Sequence, residues 1–367
     1  MGRVRYIGSK ARIVSHIMDR AGVPNGGRFF DMFSGTGSVS REAALRGWPV
    51  RANDHLAAAA ILTASQLLCS DNVPYRHFGG YQAAVEQLNE ARPRAGFIFR
   101  EYSPSGASRS KHERQYFTCE NAKRIDGMRA AIETWYADGQ LSHNEHTLLI
   151  ADLMEAANQI ANIAGTYGCF MGHWTASSLR PIRASTRELL PSPCKFEVST
   201  SDVFDLRATA EDVVYLDPPY TKRQYASYYH ILETIALGDA PLVDGVAGLR
   251  PWRAKASPFC YRKHALAAML SLLQCAKASR VLISYNSEGQ MSVSELSEQM
   301  KALGTVRVHE VGQIGRYRPN YAATMNGSTV TEYLIELHAA TSVVASRPVL
   351  PTTFYYRRWA EAAGACT

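Results

Sequence analysis

The sequence predicts an α/β protein, a doubly wound sheet carrying a largely helical insertion. Three observations predict it. Residues 28–69 alternate strand-like and helix-like segments around a glycine turn. Strand-like segments return from residue 195 onward. Between about residues 71 and 192 that rhythm is lost, and the segment reads as loops and helices.

The elements follow in order. Arg28-Phe29-Phe30-Asp31-Met32-Phe33 is a short apolar run that predicts a buried strand. Ser34-Gly35-Thr36-Gly37 is its exit loop, and Ser38 to Arg46 a helix that Gly47 stops. Val50 to Asn53 predicts a second strand and Leu56 to Cys69 an Ala-rich helix. Tyr102 to Ser110, holding Ser, Pro and Gly, is loop-like, whereas Asn121 to Tyr136 and Asn144 to Ile163 are helical. Lys195 to Ser199, Val213 to Leu216 and Val281 to Tyr285 predict strands, and Ser292 to Leu303 an amphipathic helix. Thr305 to Val311 and Glu332 to His338 predict a closing antiparallel pair. The expected domains are therefore residues 1–70 with 193–340, an insertion at 71–192, and a peripheral tail at 341–367.

Composition bounds the partners. At 367 residues and 46% hydrophobic content the chain can bury a large core. A net charge of +7 and a pI near 9.0 favour a polyanionic partner over an acidic substrate. The seven cysteines are scattered without a C-x-x-C, which predicts a reducing, cytoplasmic setting. No metal is expected. His143 and His146 share a helical face, but Ser142 and Glu145 ahead of Leu148-Leu149-Ile150 match a helix capping box instead. Met1 to Lys10 is polar and basic, and the longest apolar segment is too short to span a bilayer. No membrane association is expected.

The chemistry concentrates at Asp217-Pro218-Pro219-Tyr220, at the carboxyl end of the strand Val213 to Leu216. Open α/β sheets place their ligands there. Asp217 can accept one hydrogen of an exocyclic amine and the Pro218 carbonyl the other. Neither Pro218 nor Pro219 has an amide N–H, and both have fixed φ, so that carbonyl is held rigidly. Tyr220 offers a ring face for stacking. A plain strand exit is the other reading of the same four residues.

The glycine loop narrows the ligand. Asp31-Met32-Phe33-Ser34-Gly35-Thr36-Gly37 turns a strand into a helix, where glycines permit close backbone approach. The third glycine of the dinucleotide fingerprint is replaced by Ser40, and there is no G-K-[ST], which disfavours a phosphate cradle. Asp54 follows the second strand roughly 20 residues on, where an acidic side chain grips ribose hydroxyls. A ribose-bearing ligand without pyrophosphate fits, and S-adenosylmethionine is one. Asp54 also suits a helix N-cap. Asp202 suits either the adenine amine of such a ligand or a turn.

Three pieces stand in one order: Tyr6-Ile7-Gly8-Ser9-Lys10, Phe33-Ser34-Gly35-Thr36-Gly37 and Asp217-Pro218-Pro219-Tyr220. That order resembles the Dam-like class of adenine-N6 DNA methyltransferases, including type II modification methylases that open with Y-I-G-S-K. Arg223-Gln224-Tyr225, Tyr229 to Thr234 and Ser284 to Gly289 look like further elements of those methylases. The likeness covers roughly residues 3–70 and 195–338. It implies a Rossmann-like methyltransferase sheet, S-adenosyl-L-methionine as methyl donor, and transfer to N6 of an adenine flipped out of double-stranded DNA. It also implies that Tyr6 and Lys10 contact the cofactor and that the Phe33 to Gly37 loop wraps its methionine end. Asp54 would then hold the ribose, and Asp217 would lie between cofactor and base. A cognate restriction endonuclease is an implied functional partner. Cytosine-N4 or RNA adenine methylation, and a non-catalytic DNA-binding subunit, are the alternative readings.

DNA contacts are expected from two places. Arg92 to Arg129 holds nine Lys and Arg against four acids, among them Arg109, Lys111 and Arg114, with Tyr102, Tyr116 and Phe117 interleaved. That suits phosphate contacts and duplex opening, or equally a solvated helical face. Lys222 and Arg223, directly after the tetrapeptide loop, are placed to grip the extruded nucleotide's phosphates. Arg180, Arg316 and Arg318 are further basic candidates. Tyr167-Gly168-Cys169-Phe170 reads as a family element near the target strand or as core packing.

Overall fold

The computed structural model describes Lys10 and residues 12–108, 112–315 and 329–340. In chain order its helices and strands are α1 (Val14–Ala21), β1 (Phe29–Asp31), α2 (Ser38–Leu45), β2 (Val50–Asn53), α3 (Ala57–Gln66), α4 (Tyr81–Asn89), α5 (Phe97–Tyr102), α6 (Cys119–Ala137) and α7 (His143–Gln159). Then come β3 (Phe196–Ser199), β4 (Val213–Leu216), α8 (Tyr225–Tyr228), α9 (His230–Leu237), α10 (Arg262–Ala276), β5 (Arg280–Asn286), α11 (Val293–Met300), β6 (Gly304–Gly315) and β7 (Thr329–Ala339). The alternation expected at both ends of the chain holds, with boundaries moved by a few residues.

The seven strands form one sheet in the order β3-β2-β1-β4-β5-β7-β6. β1 to β5 run parallel, and β7 enters antiparallel between β5 and β6. Side chains alternate across a strand. Phe30, Val214 and Ile283 therefore share one face, where Met269 and Leu272 of α10 and Leu296 of α11 complete an apolar cluster. On the other face Phe29 stacks on Tyr215 at 6.0 Å, and α1 packs against α2 and β5. Each fully buried side chain of this size contributes about 1.5–3 kcal/mol. Helices on both faces make the sheet doubly wound, as its hydrophobic runs predicted.

Strand order sets the location of the site. β1 pairs with β2 on one side and β4 on the other, so Asp31 lies level with Ala52 and Tyr215. The chain therefore leaves β1, β2 and β4 side by side at their carboxyl ends, the crevice where such sheets bind ligands. Antiparallel β7 adds a second route to that edge, because Glu332 at its amino end pairs with Asn286 at the carboxyl end of β5.

Packing divides the chain into two compact units. One holds the sheet and comprises the described residues within 10–56, 194–225 and 253–340. The other comprises those within 57–193 and 226–252. These boundaries differ from the expected 70/71 and 192/193 divisions. α3 packs on α7 and α9, and Glu233 of α9 accepts the Ala57 and Ala58 amides at 3.2 and 2.9 Å, capping α3. That cap satisfies amides a helix start leaves without partners. The capping box of Ser142 and Glu145 at the start of α7 is present as expected.

The helical unit corrects part of the expected DNA surface. Arg114 is buried, and its guanidinium donates to the carbonyls of Val246, Gly245 and Glu101 and pairs with the Glu101 carboxylate at 3.0 Å. A cation so enclosed bridges two loops and is not placed to meet a phosphate. Tyr102, Tyr116 and Phe117 are likewise fully buried. Tyr167 is core as well, its carbonyl partnered by the His230 ring at 3.0 Å and its hydroxyl donating to Asn158 at 3.2 Å. Burial pushes the His230 imidazole down to about 4, against a smaller rise from that carbonyl, so it stays neutral. Arg109, Lys111, Arg316 and Arg318 lie outside the described residues. Among the described residues no helix is long and apolar enough to cross a membrane.

Candidate active site

The glycine loop is fixed by the strand ends around it. Ser34 donates its amide to the Asn53 carbonyl at 2.9 Å, and Gly37 donates to Ser34 at 2.8 Å. Gly35 and Gly37 have φ of 54° and 78°, left-handed values that glycine adopts without penalty. The Gly35 amide reaches the Asp54 carboxylate at 3.0 Å, and the Leu56 amide meets its other oxygen at 3.0 Å. Asp54 thus ties the loop to the end of β2. Ser40, at the absent third glycine, donates to Asp31 at 2.7 Å. Burial, opposed by that hydrogen bond and aided by the charges of Asp217 and Asp54, pushes the Asp31 carboxyl up to about 7.

Beyond β4 stands a cluster of three charges. The Lys10 ammonium lies 3.3 Å from Asp217 Oδ1 and 3.4 Å from Glu332 Oε2, and 4.8 Å from the centre of the Tyr220 ring. Its side chain is 5% exposed, against 15% for Asp217 and 8% for Glu332, so little water screens the cluster. Burial lowers the Lys10 pKa, but Asp217, Tyr220 and Glu332 outweigh it and hold the ammonium charged. The Asp217 carboxyl is pushed up to about 6: burial raises it, Lys10 pulls it back, and Glu332 raises it further. The Lys10–Asp217 contact is an ion pair without hydrogen-bond alignment, and Asp217 Oδ1 has no aligned donor among the described residues. A buried, charged acceptor lacking an aligned donor suits an incoming N–H.

Tyr220 packs into this cluster. Its ring is 8% exposed, meets Tyr285 edge-on at 6.0 Å, and carries the Lys10 ammonium on one face. The face under Lys10 is closed to an extruded base, which is a restriction on the stacking role expected for Tyr220. Its carbonyl accepts the Gln290 amide at 3.1 Å.

Residues 6–299 match the family model described as D12 class N6 adenine-specific DNA methyltransferase. The chain belongs to that family. It is 31% identical over 343 residues to the type II methyltransferase M.FokI of Planomicrobium okeanokoites, covering 90% of this chain and 52% of that protein. It is 31% identical over 320 residues to M.NlaIII of Neisseria lactamica, covering 82% and 89%. It is 28% identical over 347 residues to M.CviAII of Paramecium bursaria Chlorella virus 1, covering 91% and 98%. The chain thus spans about half the length of the first of these relatives and most of the other two.

Within this D12 class chain, the fold gathers most of the residues singled out in the sequence. Lys10, Asp217 and Tyr220 touch, and Asp31, Gly35, Gly37 and Asp54 line the adjoining strand ends. Tyr6 lies outside the described residues. Phe33 meets Phe259 edge-on at 5.5 Å, and Phe259 stacks on Phe204 at 5.9 Å. Asp202 accepts the Phe204 amide at 3.1 Å, which is the turn role it was also suited to. Lys222 and Arg223 are exposed. Among the described residues no group of three or more His, Cys, Asp or Glu could hold a metal ion.

Sequence reasoning missed Glu332, Ser40 and Gln290. Glu332 reaches the site only through the antiparallel register of β7, and nothing local to it signals that pairing. Gly289 carries a constraint that its motif did hint at. A β-carbon there would stand 2.2 Å from Cε1 of the fully buried Tyr285, whose hydroxyl oxygen accepts the Met291 amide at 2.9 Å. Gly289→Ala is expected to destabilise the fold by about 1–3 kcal/mol through overpacking. Urea unfolding would measure this, and a midpoint equal to that of the parent would refute it.

Proposed function

We propose that this chain transfers a methyl group from S-adenosyl-L-methionine to the N6 amine of an adenine flipped out of double-stranded DNA. The single observation that carries this reading is Asp217, a largely buried carboxylate paired with Lys10 and lacking an aligned donor, at the carboxyl end of β4. The bound cofactor supplies an electrophilic methyl group on a sulfonium. The donor set at the strand ends fits such a ligand. Gly35 and Gly37 turn the loop through left-handed conformations, the Asp54 carboxylate stands at the end of β2 where a ribose would lie, and buried Asp31 Oδ1 lacks a partner among the described residues.

The protein's part is to make a poor nucleophile react. The amine lone pair is delocalised into the ring, and extruding the base costs a few kcal/mol. Asp217 and the Pro218 carbonyl accept the two amine hydrogens, which localises the lone pair on nitrogen and stabilises its developing positive charge. Stacking on the Tyr220 face turned away from Lys10, worth about 1–3 kcal/mol, would offset part of the extrusion. Asp217 accepts the proton only after the new N–C bond forms, since the nitrogen becomes acidic then. A carboxyl held near 6 is ionised at neutral pH, ready for both roles.

In this reading the enzyme works in a prokaryotic cytoplasm as the modification partner of a cognate restriction endonuclease. The test is to incubate the protein and labelled S-adenosylmethionine with duplex DNA, digest, and separate the nucleosides. Label in N6-methyldeoxyadenosine is expected. Label in N4-methyldeoxycytidine, or in RNA alone, would overturn the assignment.

A further inference from the structure

A cavity of about 290 Å³ opens beside the tetrapeptide loop. Lys222, Arg262, Lys263 and His264 line it, with Tyr261 and Gln290. All four basic residues are exposed, and no acid lines the cavity. Lys222, Arg262 and Lys263 have no ion-pair partner among the described residues.

The fold places these cations against a local rule. Arg262, Lys263 and His264 form the first turn of α10, a fifteen-residue helix with no acidic residue there and no side-chain cap. The macrodipole favours an anion at that end. The two cations there, Arg262 and Lys263, are unfavourable unless an anion joins them, and such broken rules gather at functional sites. The walls are tied to the catalytic loop. Gln290 donates its amide to the Tyr220 carbonyl at 3.1 Å. Gln224 clamps Ser257 through bonds of 2.8 and 3.1 Å, and Cys260 donates to the Arg223 carbonyl at 3.3 Å.

We propose that this cavity is a phosphate subsite for the DNA strand bearing the target adenine, with Arg262 and Lys263 as its principal donors beside Lys222. This rests on the function proposed above and adds where the backbone next to the extruded nucleotide is gripped. The linkage through Gln290 holds the phosphate in fixed register with Tyr220, so that binding the strand also positions the base.

The test is the Arg262→Gln/Lys263→Gln double variant of the full chain, with Lys301→Gln on α11 as a remote control. Affinity for a fluorescent 30-base-pair duplex is measured by anisotropy across a salt series. Each lost phosphate contact lowers the slope of log K against log[salt] by about 0.9. The double variant is expected to lose about two units of slope and at least ten-fold in affinity near 0.1 M salt, with a melting temperature no lower than that of the parent. The control is expected to keep the parent slope. A double variant with the parent slope, or a control losing as much as the double variant, would overturn the subsite. Tighter binding of single-stranded RNA than of duplex, with the same slope loss, would overturn DNA as its ligand. Methyl transfer is scored separately, so duplex binding without N6-methyladenine would count against the proposed reaction and leave the subsite standing.

Discussion

Asp217→Ala is expected to lower the rate of methyl transfer by about three orders of magnitude while cofactor and DNA binding stay measurable. In the proposed reaction the side chain meets the amine only through hydrogen bonds that strengthen as positive charge develops on nitrogen. Removing one such group typically costs about 10²–10³ in turnover. The substitution also leaves Lys10 with Glu332 as its remaining carboxylate partner, which keeps the ammonium paired and limits damage to the fold. Single-turnover kinetics beside equilibrium binding would separate the two effects. A variant near parent turnover would remove Asp217 from the chemistry. The parent should lose activity as pH falls through about 6, because protonated Asp217 then offers one acceptor oxygen fewer to the amine.

Lys10→Met is the second large effect. It leaves Asp217 and Glu332 buried beside each other without the cation that lies 3.3 and 3.4 Å from them. Breaking a buried ion pair on one side costs about 3–5 kcal/mol when the orphaned charge remains. Protonation is the relief, so the acid limb of activity is expected to move up from about 6. The stability penalty follows the same titration. The folded pKa of Asp217 rises further above its unfolded value near 3.9, so the penalty is full above the folded pKa and vanishes below the unfolded one. The melting-temperature gap between Lys10→Met and the parent should therefore be widest above pH 7 and close toward pH 4. Glu332→Gln should move the limb the opposite way, because the Glu332 charge raises the Asp217 pKa. Limbs that stay at the parent position in both variants would refute the electrostatic coupling.

The same cluster explains why one functional residue escaped sequence reading. Lys10 and Asp217 were marked by motifs, each bearing a signature within five residues. Glu332 bears none, and 322 positions separate it from Lys10. Its role exists only because β7 runs antiparallel to β5 and pairs Glu332 with Asn286. Arg114 shows the opposite failure. Its basic, aromatic surroundings read as a nucleic-acid surface, yet the carbonyls of Val246 and Gly245 claim its guanidinium. Net charge along a segment says nothing about which side chains the fold encloses.

The sequence by itself determined the alternation of strand and helix, the glycine turn after β1, the carboxylate after β4 and the family these motifs resemble. Those are local properties, set by hydrophobic period, backbone permission at glycine and the chemistry of a four-residue motif. Tertiary structure alone decided which charges share low-dielectric space, which helices group into the second unit, and that the cations at the first turn of α10 stand beside the loop after β4. Such outcomes depend on strand order and on register between segments hundreds of residues apart, and no local pattern in the chain encodes that register.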